Sequence, residues 1–463
     1  MGPSFDNLGK FVVFSPLVLY GSNEAWQCRA NPEPGLADRW EHSPDWREWT
    51  IHVREDARWH DGVPVTAHDI AFTLNLWKYP EVEHWAAAGV ESATALDDHT
   101  VRIVYEQPSR EPLNGWDVFY PKHLLDQLDP KEFWEWEFWA RPVGSGPYRY
   151  VSHVPGSMSV FEANPSYYRG RPRIERMILQ WGGNSVTELL GGSVNAAFVG
   201  PDDAARLGRD PRFRIYYELN HGSTRIHWNH ENPLFAEPVV RRALTMAIDR
   251  RELWRALGLP GTLSITDGIY TNCQFARGEL TAPWPHDPGA AARLLAEAGW
   301  HDGDGDGVRE REGEPFAFTL LAPTDWPQWG MEAAVVIQQQ LRRVGVRMEV
   351  QQLDGTTVTD RLRAGDFDAA IWLTDVEWFG QDSPIGYENP RVAQLLAAAD
   401  STVDQEEQDR IYRELAAIIH QDFPSTFLYP GIDFYAARRE IRGFDPQRTG
   451  NLFFNLERVW WEE

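Results

Sequence analysis

Asp302, Asp304 and Asp306 alternate with glycine in DGDGDG, which ends at Gly307. At this spacing an EF-hand loop converges carboxylate oxygens on a hard cation, and the glycine allows the sharp turn. The twelfth position, where a bidentate acid would complete the shell, is Gly313. Calcium held by the three aspartates is one reading and a plain turn is the other; no further cofactor is implied. A second acidic pair, Asp375 and Glu377, stands between Trp372 and Trp378 in IWLTDVEWFG. Two carboxylates ~5–9.5 Å apart would hydrolyse a glycosidic bond. Without turnover, the same acids and rings would line a pocket for a polar solute. Trp326 and Trp329, in APTDWPQWG, offer flat indoles to the apolar C–H face of a sugar, or else pin their own loop by burial. His60-Asp61 in WHDG has no serine or cysteine nucleophile motif attached. VGSGPY, Val143 to Tyr148, lacks the third glycine and the following helix of a phosphate loop. Both read as structural.

The residues at 372–378 follow a pattern that occurs twice. LLGGSVNAAFVG runs from Leu189 to Gly200 and LRAGDFDAAIWL from Leu362 to Leu373, pairing Gly192 with Gly365, Asn195 with Asp368, and Ala196-Ala197 with Ala369-Ala370. Each copy reads as helix end, glycine, short turn and apolar strand, so one αβ unit builds two similar lobes with a cleft between them. Ligands of open α/β sheets lie beyond the carboxyl ends of strands, which makes Trp372, Asp375, Glu377 and Trp378 the leading candidate site.

The elements that carry these residues follow from periodicity. TIHVRE (Thr50 to Glu55) and TVRIVYE (Thr100 to Glu106) alternate as strands, and TAHDIAFTLNLW (Thr66 to Trp77) is helical behind a threonine cap. SMSVFEAN (Ser157 to Asn164) is a strand after the turn at Pro155-Gly156. PVVRRALTMAIDRRELWRALG (Pro238 to Gly258) reads as one buried helix, with Val240, Leu244, Ala247 and Leu257 on one face. DPGAAARLLAEAG (Asp287 to Gly299) is a capped helix, and GMEAAVVIQQQLRRVG (Gly330 to Gly345) leads into the strand VRMEVQQL. A helix from about Asp404 to Asp422, a strand at STFLY and a tail from Ile432 complete the chain.

The chain has 463 residues, 42% of them hydrophobic, enough for two or three domains of a soluble globular protein. Its 69 acidic and 44 basic residues give a net charge of -25, which disfavours nucleic acid and anionic membranes. The 22 tryptophans imply a thick core or a ring-lined cleft. Cys28 and Cys273 decide little about compartment. No run reaches membrane-span length, and MGPSFDNLGK lacks the order of a signal peptide.

Together, GLADRWEHSPDWREWTIHVREDARWHDGVPVTAHDIAFTL (Gly35 to Leu74), VGSGPYRYVSHVPGSMSVFEANPSYYRGRPRIERM (Val143 to Met177), VVRRALTMAIDRREL (Val239 to Leu253), AARLLAEAGWHDGDGDGVREREGEP (Ala291 to Pro315) and AGDFDAAIW (Ala364 to Trp372) resemble the family 5 extracellular solute-binding proteins, the peptide, nickel and oligosaccharide receptors of ABC importers. The resemblance implies an α/β, two-lobed type II periplasmic-binding-protein fold with an extra mixed subdomain in the first lobe. The first lobe would comprise 1–22, 141–227 and 433–463, the subdomain 23–140, and the second lobe 228–432. Crossings would fall near Gly222 to Asn229 and near Gly431 to Tyr435. Tyr20, Asn23 and Trp26 occupy the position of the family's Y-E-G-L segment, which lines the cleft from the opposite lobe. The implied partners are a small ligand and a permease, with the protein a monomer, periplasmic or extracellular, with or without a membrane anchor.

This chain departs from the family twice. It begins almost at Phe11 to Tyr20, without the strand-forming segment that usually precedes it. TDVEWFGQDSPIGYENP (Thr374 to Pro390) is shorter than the corresponding loop of peptide receptors and lacks the Asp-Pro-Asp-like element that holds a peptide amine; Asp375 or Glu377 would substitute. With the tryptophan surplus, this tilts the expected ligand toward an oligosaccharide over a short peptide. A chelated metal ranks third, because no His or Cys cluster has ligand spacing. The alternative function is a glycoside hydrolase using Asp375 and Glu377; a third is a peptide-binding, chaperone-like role.

Overall fold

A computed structural model describes residues 12–20, 32–82, 87–113, 119–259, 283–325, 330–374, 376–380, 383–444 and 455–462. The alternating segments near the N-terminus are strands. β3 (Ala37–His42), β4 (Glu48–Val53), β5 (Val90–Ala95) and β6 (Thr100–Tyr105) form an antiparallel sheet ordered β3-β4-β6-β5. Period two puts Trp49, Ile51, Val53, Val101, Ile103 and Tyr105 on its buried face. Helix α1 (Ala67–Leu76) covers that face. The expected cap holds: Thr66 N–H donates to Asp69 Oδ2 at 2.8 Å. Asp69 Oδ1 also accepts the Lys122 amide at 2.8 Å, tying in the short helix α2 (Lys122–Leu125).

A small pair, β1 (Val18–Tyr20) with β2 (Pro32–Pro34), and an antiparallel sheet of β7 (Tyr148–Val154), β8 (Met158–Ala163) and β9 (Arg176–Gln180) share this apolar cluster, which runs from Val12 to Ala163 and takes in Leu456.

The central sheet is ordered β10-β17-β11-β16-β14-β15, comprising β10 (Ala196–Val199), β11 (Phe213–Trp228), β14 (Ala317–Pro323), β15 (Arg347–Leu353), β16 (Ala369–Thr374) and β17 (Ser425–Arg438). Two small hairpins, β12 (Glu310–Arg311) with β13 (Glu314–Pro315) and β18 (Ile441–Arg442) with β19 (Trp460–Trp461), lie outside it. β11 and β17, 16 and 14 residues long, pair antiparallel as a ribbon whose register breaks between Leu219 and Ser223, opposite Ile432 and Pro430. β17 therefore continues well past STFLY, where a tail was expected.

The duplicated unit docks once at each end of this ribbon. Helix α3 (Ser185–Gly191) ends at Gly192, φ +83°, and leads to β10 on the edge of β17; α9 (Gly355–Ala364) ends at Gly365, φ +68°, and leads to β16 on the edge of β11. The left-handed glycine is what each helix stop requires. Even the connecting turns correspond: Arg438 N–H donates to the Asn195 carbonyl at 2.9 Å, and Asn229 N–H to the Asp368 carbonyl at 3.0 Å.

Alternation along the strands separates two apolar layers. Ile226, Trp228, Leu320, Ala322, Ala369 and Ile371 pack under α5 (Pro238–Ala247), α6 (Arg250–Ala256), α7 (Pro288–Glu297) and α8 (Gly330–Arg342), together with α4 (Pro201–Leu207) beside β10. Leu321, Ala370 and Trp372 pack on the opposite face against α9, α10 (Pro390–Ser401) and α11 (Gln405–Asp422). Each large side chain buried this way contributes about 1.5–3 kcal/mol. The single helix expected over Pro238 to Gly258 is two. Ile248 is extended, and the Asp249 carboxylate caps a new start by accepting the amides of Arg251 and Glu252, while Asp249 N–H donates to Gln340 Oε1 at 3.1 Å.

Candidate ligand-binding cleft

Both duplicated strands run inward. β10 starts opposite Ala437 and ends opposite Phe434, while β16 starts opposite Trp228 and ends opposite Ser223, so their carboxyl ends approach the break in the ribbon from its two ends. β14, parallel to β16, points the same way. A ligand lying beyond strand ends would therefore sit at this break.

The floor there is polar. Ser223, Arg225 and His227 occupy one face of β11, and Thr374, Trp372 and Ala370 are their register partners on β16. Ser223 and His227 are 0% exposed, Arg225 2% and Thr374 3%. Arg225 Nε donates to Ser223 Oγ at 2.7 Å, and its guanidinium lies 5.5 Å from the Phe379 ring and 6.0 Å from that of Phe427. His227 Nε2 and Thr374 Oγ1 are 3.2 Å apart. Burial, reinforced by the Arg225 charge, pushes the imidazole down to about 3 and holds it neutral. Burial likewise raises the Tyr429 phenol from its ordinary value. The 3-10 turn Val376–Phe379 closes over this face: Trp378 lies 5.3 Å from the His227 ring, and Ser383 Oγ donates to the Trp378 carbonyl at 2.7 Å.

Of the residues singled out in the sequence, the structure brings together Trp372 and Trp378. Trp372 is buried in the apolar layer with Phe379 and Ile385; Trp378 is half-buried at the layer's margin. Glu377 lies in the 3-10 turn and Tyr20 closes β1, both with backbone only described. Asp375, Asn23, Trp26, Trp326 and Trp329 lie outside the described residues, as do Cys28 and Cys273. Sequence reasoning missed Arg225 and His227. The signal was present in STRIHW, where polar residues alternate with Ile226 and Trp228, but no spacing motif marks it.

The acidic turn gathers different ligands from those expected. Asp302, Asp304 and Glu310 place carboxylate oxygens within 4.8 Å of one another, whereas Asp306 turns to cap the Val308 amide at 2.7 Å. The three also satisfy their own turn: Asp302 accepts from Gly305 and Gly307, Asp304 from Asp306, and Glu310 from Gly303. His60 and VGSGPY, both read as structural, meet each other. Gly144 N–H donates to His60 Nδ1 at 3.2 Å, His60 N–H to the Gly144 carbonyl at 2.8 Å, and Nε2–H to the Gly146 carbonyl at 3.1 Å. An open basin of about 450 Å³ lined by Asn229, Asn232, Arg361 and Asp368 lies at the outer end of the sheet, where β16 begins. It is remote from the strand ends.

Residues 31–387 match the family of bacterial extracellular solute-binding proteins, family 5 Middle. The oligopeptide-binding protein AppA of Bacillus subtilis is 24% identical over 440 residues, which cover 89% of this chain and 80% of AppA. The probable D,D-dipeptide-binding periplasmic protein DdpA of Escherichia coli is 25% identical over 440 residues, covering 89% and 82%. The structure of AppA in complex with a nonapeptide superposes with a TM-score of 0.79 at 22% identity, over 100% of this chain and 97% of that one. NikA from Brucella suis, in complex with Fe(III)-EDTA, gives 0.84 at 20% identity over 99% and 96%. These likenesses establish the two-lobed type II periplasmic-binding-protein architecture. No helix among the described residues is long and apolar enough to cross a membrane. With the greater part of its length matched, the chain belongs to the bacterial extracellular solute-binding proteins of family 5, the substrate-binding components of ABC importers.

Proposed function

We propose that this protein captures a short peptide between its two lobes, outside the cytoplasm, and delivers it unaltered to an importer permease. The observation that carries this reading is the meeting of the two inward strand ends at the break in the ribbon. A guest held there touches both lobes only when they close, and so favours the closed state by its differential affinity. Peptide replaces the oligosaccharide tilt because relatives that align over most of the chain are named for oligopeptides and dipeptides. The sequence's division into a first lobe, the inserted subdomain 23–140 and a second lobe is kept, with crossings near Gly222 to Asn229 and near Gly431 to Tyr435; the break between Leu219 and Ser223, opposite Ile432 and Pro430, lies beside both. The apolar cluster from Val12 to Ala163 packs the subdomain together with first-lobe residues and holds none from the second lobe. Trp372 serves as the packed base of the site, and Trp378, Glu377 and Asp375 as its rim, faced by Tyr20, Asn23 and Trp26. Trp326 and Trp329 flank it.

A thermal-shift and calorimetric screen of synthetic peptides, oligosaccharides and nickel chelates tests the reading. Peptides should raise the melting temperature, and mass spectrometry should recover them uncleaved. Trp378→Ala should weaken the best peptide about tenfold, as loss of one stacked indole implies. Saturable binding of sugars alone, or recovery of cleaved products, would overturn it. The acidic turn is read as self-satisfied, so melting curves in excess calcium and in EDTA should coincide; a calcium-dependent rise would make Asp302, Asp304 and Glu310 a cation site.

A further inference from the structure

The lobes are joined very differently on the two sides of the ribbon. On one side the apolar core is continuous across the break: Val199, Leu207 and Phe213 belong to the same cluster as Trp254, Leu257 and Leu259, with Ile432 and Phe434 between them. The end of α6 abuts the start of α4 so closely that a methyl on Gly258 would lie 3.4 Å from Pro201 Cβ and 3.0 Å from Asp202 Oδ1. On the other side the cluster from Val12 to Leu456 lies wholly outside the second lobe, and that from Leu321 to Ile419 wholly within it. Among the described residues a polar contact crosses between these lobes, in which Arg110 Nη1 donates to the Val403 carbonyl at 3.4 Å.

Arg110 is held ready for that contact by its own lobe. Its guanidinium sits 5.1 Å from the Trp46 ring, which stacks on His42 at 3.7 Å and meets Trp49 edge-on at 5.6 Å. The loop is bolted to the β3-β4 hairpin by Trp49 Nε1–H to the Ser109 carbonyl, 2.9 Å, and Ser109 N–H to the Trp46 carbonyl, 3.1 Å. The acceptor is equally fixed, since Val403 lies in the short turn between α10 and α11, where Asp404 caps the Glu407 amide at 2.8 Å. A preformed donor facing a preformed acceptor loses little freedom on pairing.

We propose that Arg110 is a closure latch: the lobes open by rotating about the continuous apolar core, and the Arg110–Val403 hydrogen bond is the contact that opening breaks. The latch stands apart from the ligand-contacting residues, so it sets how often the cleft is shut rather than what enters it. It rests on the two-lobed closing mechanism proposed above, though not on the ligand being a peptide.

Small-angle scattering of the ligand-free full chain tests it directly. Arg110→Ala should enlarge the radius of gyration relative to wild type. Arg110→Lys, which retains a donor, should fall between them. A circular-dichroism melt should be unchanged, because an exposed arginine is removed. Identical scattering from all three proteins would overturn the latch. In a second arm, binding of a pool of synthetic tetra- to nonapeptides should weaken about two- to tenfold in Arg110→Ala, the worth of one hydrogen bond, and the loss should appear in the off-rate. Failure of the wild type to bind the pool would sink the peptide reading and leave the latch to be judged by scattering. Unchanged affinity in Arg110→Ala would sink the latch.

Discussion

Gly144→Ala is expected to abolish stable folding of the first lobe, with a loss of more than about 3 kcal/mol. A Cβ at position 144 would lie 1.9 Å from the Val13 carbonyl oxygen and 2.6 Å from its carbon. These are backbone atoms inside a packed cluster, so no side chain can swing aside. The intruded segment, Val12 to Leu17, forms one wall of that cluster. The Gly144 amide and carbonyl are also the groups that hold His60, so any shift that relieves the overlap breaks two hydrogen bonds to that residue, one to its ring and one to its backbone. Urea denaturation followed by tryptophan fluorescence reads the effect. Gly62→Ala is the control: its φ is +94°, but nothing lies within 4 Å of the added methyl. It should therefore cost only the ~1–2 kcal/mol of a left-handed non-glycine residue. If Gly144→Ala unfolds at the same urea concentration as Gly62→Ala, close backbone approach is not why glycine occupies position 144.

Much of the central architecture was legible because it rests on local rules. Gly192 and Gly365 announced two helix stops, and the paired alanines at 196–197 and 369–370 opened the apolar strands that follow them. What the sequence concealed depends on contacts between distant segments. The break at Asp249 lies inside an uninterrupted helical pattern and becomes a cap only because the chain turns there against Gln340. Glu310 enters the acidic turn because β12 folds back, a position eight residues from Asp302 that no loop pattern assigns. The tryptophan surplus pointed toward a sugar site, yet Trp49, Trp59, Trp77, Trp228, Trp254 and Trp300 are all at most 3% exposed and fill apolar cores. Composition counts rings without saying which way they face. The Arg225 and His227 floor was hidden for a related reason: on a ribbon covered on both faces, buried polar and buried apolar residues simply alternate, and only the structure shows what each face meets.

Acidification from pH 6.5 to 5 is expected to remove several kcal/mol of stability. Three imidazoles are held neutral by their surroundings. His60 is pushed down to about 4 by burial, His230 to about 4 by burial and then the Arg241 charge, and His227 to about 3 by burial and then Arg225. The geometry agrees: His60 Nδ1 accepts the Gly144 amide while Nε2–H donates to Gly146, so an imidazolium would set one N–H against another. In the unfolded chain these groups regain the ordinary value near 6.5. Because the folded values lie lower, the stabilisation is complete above pH 6.5 and is lost as pH falls toward 4, where the unfolded chain binds protons that the native state refuses. Each group contributes up to about 1.4 kcal/mol per pH unit through that window, and the three together about 4. Aspartates such as Asp45 and Asp56, held below their ordinary value by hydrogen bonds with Ser43 and Arg54, act only at lower pH. Urea melts at pH 7, 6 and 5 measure the slope. His227→Gln, which keeps a polar group facing Thr374, should cost stability at pH 7 yet reduce the slope by about a third. A stability that stays level from pH 7 to 5 would mean that these rings are solvated in the native protein, and one that rises would mean that they are already charged there. The peptide affinity of the wild type should stay level over the same interval, because His227, held down to about 3, remains neutral beside Arg225 in the native protein.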